Sequence, residues 1–406
     1  MMSSQKDRQI FLELLKDAIH GDEIKIKEEE IRTNLAGILQ LSNAHMVYPL
    51  IVDCLYKKYP EYFNTYKKRA IDQTVRQAAK TASFLLLYKK MLEKNLSPIV
   101  LKGIICRNIY TEPEIRVSAD EDLLIEPSEV KKYHDFLIEQ GFITGNNNPI
   151  NDDYEIIYRN EKNKLNLGVH KYLFSQEDSA FNKLNDLFKE LDNTTYVTIN
   201  KIDIQTLSPT NHFIYMICHA YKHLVYSGIG IRQLCDMTLF AEKNGKKIDW
   251  DKVLNQLKKE NLDLFSEALL KICVEDLGMD VNKADCSAIY LSATADKKPL
   301  LNDILSGGAY GASDENRLHS ANITRGAVAS SKSKSKDTSI LTSLFPSYDY
   351  MANKYDYIKK NRYLLPFAWA QRIFCFLRKS KKDVNPSKTM KIGKERIELL
   401  KKYNLI

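Results

Sequence analysis

Leu101-Lys-Gly-Ile-Ile-Cys-Arg-Asn-Ile-Tyr-Thr-Glu-Pro-Glu-Ile-Arg-Val-Ser-Ala-Asp-Glu-Asp-Leu-Leu-Ile125 is the stretch on which the reading of this 406-residue chain turns. A Lys-Gly turn is followed, one short helix later, by two aspartates one residue apart, Asp120 and Asp122. They open the apolar run Leu123-Leu124-Ile125, which reads as a strand. Alternate side chains of a strand point the same way, so the two aspartates share a face with α-carbons roughly 7 Å apart. Two carboxylates so placed can hold a Mg²⁺ ion, which takes oxygen ligands and leaves room for phosphates. The glycine turn ahead of a helix offers backbone N–H groups to those phosphates. A metal pair beside a phosphate cradle is the minimum equipment for moving a nucleotidyl group.

The surrounding pattern fixes the fold class. Residues 1–95 carry apolar residues at three-to-four spacing and read as helices, ending where Ser97-Pro98 breaks the run. Pro98 to Leu101 reads as a short buried strand, Gly103 to Tyr110 as one short helix and Val130 to Gln140 as an amphipathic helix. Tyr154 to Tyr158 and Leu165 to Tyr172 alternate like a hairpin joined by the polar turn at 160–163. From Ser208-Pro209 onward the pattern is helical again, over about 209–226, 232–243, 249–260 and 262–277. The expectation is an α+β protein: a small mixed-sheet domain over 96–207, helices before it, and a helical domain over 208–378. Residues 306–338, rich in Gly, Ser, Asn and Lys, read as a long flexible loop, and the Asn-rich segment 146–151 as another. The last helix falls near Met390 to Tyr403 within a basic tail, 379–406.

This order of features resembles the uncharacterised nucleotidyltransferase family of the DNA polymerase beta-like superfamily. That family reads as an apolar strand ending in Leu-Lys-Gly, a helix, a Tyr, an Arg, and then Asp-apolar-Asp. Here those positions are Leu101, Lys102, Gly103, Tyr110, Arg116, Asp120 and Asp122, with Glu121 where an apolar residue is usual. The resemblance, strongest over 99–125, extends to His219-Ala-Tyr-Lys-His223, to Arg232 through Asp236, and to a closing segment at 344–351 and 364–367. It implies a Mg²⁺-dependent enzyme that moves NMP from an NTP to an acceptor hydroxyl and releases pyrophosphate. It also implies Asp120 and Asp122 as catalytic metal ligands, with Lys102 and Gly103 near the phosphates.

The chain departs from the family at the third carboxylate. The family carries it on a later strand as Glu-apolar-His; here the segment reads Gly168-Val169-His170. Three explanations stand side by side. Another acid such as Glu155 substitutes, or His170 binds or acts as base, or the chain binds nucleotide without turnover. Lys102 has two readings, a triphosphate contact or a solvated strand-end lysine. Arg116 either neutralises phosphate or pairs with the aspartates, and Ser118 is a candidate phosphate contact. His219 and His223 at i, i+4 could bind zinc, but with no Glu base and no third ligand they read as interface histidines. Arg232 and Asp236 share a helix face as an ion pair or as a wall opposite the metals.

Composition excludes other classes. At 44% hydrophobic and 28% charged the chain is ordinary for a globular protein, and no stretch reaches the roughly 18 apolar residues of a bilayer span. Seven cysteines without a Cys-x-x-Cys pair suggest reduced thiols and a cytoplasmic setting, and abundant Lys, Asn, Ile and Tyr suggest a bacterial source. The net charge of +8 comes from residues 372–406, which hold 11 Lys/Arg against 3 Asp/Glu. The rest is neutral, which disfavours nucleic acid as partner and leaves a small-molecule or protein acceptor. P-loop, dinucleotide-binding and Gly-x-Ser-x-Gly motifs are absent.

Overall fold

A computed structural model describes residues 3–145, 154–189, 194–311, 315–332, 345, 348, 351–352, 355–379 and 385–406. The Asn-rich segment at 146–151 and most of 344–351 lie outside the described residues. Four helices come first: α1 (Gln5–His20), α2 (Glu28–Ala44), α3 (Tyr48–Lys58) and the 34-residue α4 (Pro60–Glu93). Ser4 and Asp7 form a reciprocal capping box at the start of α1, and Pro60 occupies the first turn of α4, where its missing N–H is no loss.

A seven-stranded sheet follows, in spatial order β3-β4-β5-β2-β1-β7-β6. Its strands are β1 (Ile99–Val100), β2 (Glu121–Leu124), β3 (Ile143–Thr144), β4 (Glu155–Asn160), β5 (Leu165–His170), β6 (Thr194–Ile199) and β7 (Ile202–Leu207). β2 runs parallel to β5 and β1 parallel to β7, while the other pairs are antiparallel. The α+β expectation therefore holds, as does the hairpin β4–β5. The β6–β7 hairpin is an addition to the sequence reading. It turns on Asn200 and Lys201, both with positive φ, as a two-residue primed turn requires. Lys201 sits where glycine would have announced such a turn.

Alternation divides the sheet into two unlike faces. Leu123, Ile156, Tyr158, Leu167 and Val169 point into one core with Phe84, Tyr88 and Met91 of α4 and Tyr133, Phe136 and Leu137 of α6 (Val130–Glu139), the helix after the short α5 (Lys102–Arg107). The opposite face carries Asp122, Glu155, Gly168 and His170, aligned by the registers Asp122↔Gly168 and Glu155↔His170.

The helices after the sheet begin with α7 (Pro209–Tyr226), capped by Ser208, and continue through α8 (Ile231–Asn244), α9 (Trp250–Lys259) and α10 (Asp263–Glu275). Their apolar side merges with α1, α2 and α3 in the largest core. Two further short helices, α11 (Ser287–Ser292) and α12 (Lys298–Gly307), precede α13 (Glu315–Lys332). α13 occupies much of the span read as a loop. Its buried side mixes the polar residues Asn316, Arg317, Ser320 and Thr324 with Gly326, Ala327 and Val328, so it lacks the bulky apolar stripe that marks a helix in sequence. Elsewhere in that span, the end of α12 and a short turn at Ala309–Gly311 are described, while 312–314 and 333–338 lie outside the described residues. The terminal helix Pro386–Lys402 packs on α13 and buries Leu399 and Leu400 in the main core, joined by Tyr403 just past its end. Its buried Arg396 donates to the carbonyl oxygens of Leu224 (2.6 Å) and Val225 (3.3 Å), both in the last turn of α7. A cation on those carbonyls complements the helix dipole.

Candidate active site on the open face of the sheet

The Lys-Gly turn owes its shape to Glu121. Gly103 adopts φ 37° and ψ −114°, a conformation costly for any residue with a Cβ, and a Cβ there would land on the Glu121 carboxylate. The Ile104 N–H donates to Glu121 Oε2 at 2.7 Å, and Arg107 donates to Oε1 at 2.5 Å. Arg107 also donates to Ser118 Oγ at 2.6 Å. Glu121, Arg107 and Ser118 are all buried. The unusual acid at 121 thus faces away from Asp120 and Asp122 and ties β2 to the turn. Ser118, read as a phosphate contact, sits in this network, its N–H donating to Gln77 Oε1 at 2.8 Å.

Arg116 pairs with neither aspartate of the strand. It is buried against Asp236 of α8, donating from Nε to Oδ1 at 3.0 Å and from NH2 to Oδ2 at 2.5 Å. The Tyr110 hydroxyl donates to the same Oδ1 at 2.8 Å. Arg232 reaches the Val117 carbonyl from the same helix. The Tyr and Arg of the sequence pattern and the Asp of α8 therefore clamp the sheet region to α8.

Asp122 is the hub of the open face. Its Oδ2 lies 2.9 Å from Lys102 Nζ and its Oδ1 3.3 Å from His170 Nε2. Glu155 Oε1 lies 3.8 Å from the same imidazole nitrogen. One ligand atom each from Asp122, Glu155 and His170 fall within 4.8 Å of one another. Gly168 makes the space. A Cβ there would stand 2.7 Å from Asp122 Oδ1, 3.0 Å from Glu155 Oε1 and 3.2 Å from His170 Nε2. Burial by itself would raise the Asp122 carboxyl, but Lys102 and His170 outweigh it and hold it well below the usual carboxylate range. Asp120 precedes β2 on the same face and reaches solvent. Its carboxyl is raised, first by the desolvating protein around it and then by Asp122.

α7 lies over this face. Lys102 Nζ donates to His219 Nε2 at 2.7 Å, and the His223 Nε2 lies 3.2 Å from that nitrogen. An ammonium can only donate, so His219 accepts. Burial first and Lys102 second push both histidines well below their ordinary range, which keeps them neutral between α7 and the sheet. Lys222, one turn of α7 from His219, places its ammonium 5.0 Å from the centre of the Tyr154 ring. Sequence pattern alone assigns this lysine no role, although it stands inside the quoted His-x-x-x-His segment.

A carboxylate–carboxylate–imidazole set beside a half-desolvated lysine is equipment for phosphate chemistry. The family profile of uncharacterised nucleotidyltransferases matches residues 33–278. The chain belongs to this family. No curated relative and no solved structure matches it. In this nucleotidyltransferase-family chain the match runs from α2 to just beyond α10, and so takes in every residue of the open face. It starts earlier than the resemblance read from the sequence and leaves out the segments at 344–351 and 364–367. None of the described helices is long and apolar enough to cross a membrane.

Proposed function

We propose that the protein is a metal-dependent nucleotidyltransferase that moves NMP from an NTP to an acceptor hydroxyl and releases pyrophosphate. One observation carries the reading: Glu155, from the neighbouring strand, stands where a side chain at 168 would have reached, beside Asp122 and His170. The lost acid is thereby replaced in space, though not in sequence.

The donor set fits a divalent ion. Asp122, Glu155 and His170 would hold it, with Asp120 at the solvent side. Carboxylates suit Mg²⁺, and an imidazole widens the choice toward ions such as Mn²⁺. When bound, such an ion neutralises phosphate charge and acidifies the attacking hydroxyl. The chain's own groups do the positioning. Lys102 holds Asp122 in one orientation, and His219, kept neutral, holds Lys102. The Arg116–Asp236 clamp fixes α8, and with it the helical domain, against the sheet.

The test is label transfer from radiolabelled NTP with Mg²⁺ or Mn²⁺. Asp120→Asn with Asp122→Asn should abolish it, and Glu155→Gln should weaken it at least tenfold. Retained labelling in the double variant would sink the assignment. A second reading, a nucleotide-binding module without turnover, draws support from the direct Lys102–Asp122 ion pair and from Gly168. It predicts metal-dependent NTP binding by calorimetry without pyrophosphate release.

A further inference from the structure

The glycine turn that invites phosphate in the sequence has a donor already committed inside the protein. The Ile104 N–H is bonded to Glu121, and the adjacent Lys102 is engaged by Asp122 and His219. The charge of a triphosphate needs another cation.

α7 provides one. Tyr215, His219, Lys222, His223 and Tyr226 follow one another at i, i+4, i+7, i+8 and i+11 and so share one helix face. Two contacts fix that face over the open side of the sheet: His219 with Lys102, and Lys222 with the Tyr154 ring. Along the helix axis these two α7 residues are about 4.5 Å apart, from a rise of about 1.5 Å per residue. Tyr154 immediately precedes Glu155, and its ring centre is 6.1 Å from that of His170. Lys222 is half-buried, and among the described residues no carboxylate lies within ion-pair distance of its ammonium. Burial first, and the charge of Lys102, push its ammonium below the ordinary lysine range, while Glu155, Asp122 and Asp120 offset part of that. A partly desolvated cation without a counter-ion is costly, and such a group is relieved when an anion arrives.

We propose that Lys222 is the residue that binds the β- and γ-phosphates of the nucleotide, the part that departs as pyrophosphate, with the Tyr154 ring as its platform. This rests on the nucleotidyltransferase reading. In the transfer, the acceptor oxygen bonds to the α-phosphorus and its proton passes to water. The bond from that phosphorus to the bridging oxygen breaks, and its electron pair leaves with pyrophosphate. Lys222 meets the charge that develops there.

The experiment is calorimetric titration of the full chain, in the presence of Mn²⁺, with each of the four NTPs and the matching NMPs. Lys222→Met should weaken NTP binding by about 10- to 100-fold, the worth of one charge-assisted hydrogen bond. It should leave NMP binding within about twofold, because an NMP lacks the phosphates that Lys222 would hold, by the selectivity of a positioned charge. Lys222→Arg should recover most of the NTP affinity. Unchanged NTP affinity in Lys222→Met, or equal losses for NTP and NMP with an unaltered circular-dichroism spectrum, would overturn the proposal while wild-type binding stands. A wild-type protein that binds no NTP would remove the nucleotidyltransferase reading itself, and this proposal with it.

Discussion

Asp236→Ala tests whether the pattern's Arg serves the fold or the phosphates. In the folded protein the Asp236 carboxylate accepts two hydrogen bonds from Arg116 and one from Tyr110, and all three residues are buried. Removing it leaves a guanidinium in a low-dielectric site with no counter-charge. Breaking one partner from a buried pair costs about 3–5 kcal/mol, because desolvation of the survivor is no longer offset. The Tyr110 hydroxyl loses its acceptor as well, at about 1 kcal/mol or more. The combined expectation is a loss of roughly 4 kcal/mol or more, read as a lower midpoint in urea with fluorescence of the buried Trp250 as probe. The paired variant Arg116→Met with Asp236→Leu removes both charges and fills the volume. It should lie within about 2 kcal/mol of wild type, since apolar replacement of a buried pair is often neutral. The clamp would be refuted if Asp236→Ala cost less than about 1 kcal/mol, or if the two single losses simply added in the double variant. A paired variant that is stable yet binds NTP as wild type does would also show that Arg116 is not needed for phosphate.

Two further outcomes follow, one from a buried histidine and one from the glycine turn. His45 is buried, its Nδ1 accepts the Ile231 N–H at 3.3 Å, and burial pushes it down to about 4. The unfolded chain takes up that proton near pH 6.5 and the folded one only near 4, so stability is lost as pH falls through this window. The loss amounts to roughly 3 kcal/mol. His45→Gln should flatten urea midpoints between pH 6.5 and 4 by about one proton's worth, and an unchanged slope would contradict the assignment. Gly103→Ala should cost about 2–5 kcal/mol, from backbone strain at φ 37° and displacement of the Glu121–Ile104 hydrogen bond. A midpoint equal to wild type would show that the turn has another conformation.

Much of the fold was legible because its signals are local. The helix starts at Ser208-Pro209 and Asp249, and the hairpin β4–β5, are written in caps, turns and alternation over a few residues. Helix α13 was not, because what it buries is largely polar or small, and those polar groups find their partners only in the fold, Arg317 on Asp303 and Ser320 on Arg396. Hairpin β6–β7 escaped because its turn uses lysine at a positive-φ position.

By itself the sequence determined that Asp120 and Asp122 face one way and that position 168 has no carboxylate, since strand alternation is a property of consecutive residues. It also put Lys-Gly one short helix ahead of them. Tertiary structure decided what those residues touch. The Glu155↔His170 register brings an acid to the gap left by Gly168, and the Arg116–Asp236 bond spans 120 positions. The placement of α7 brings Lys222 over Tyr154. Each depends on which strands and helices pack together, and that choice is made by burying the sheet's apolar face and the helical core as a whole, which no short window of sequence contains.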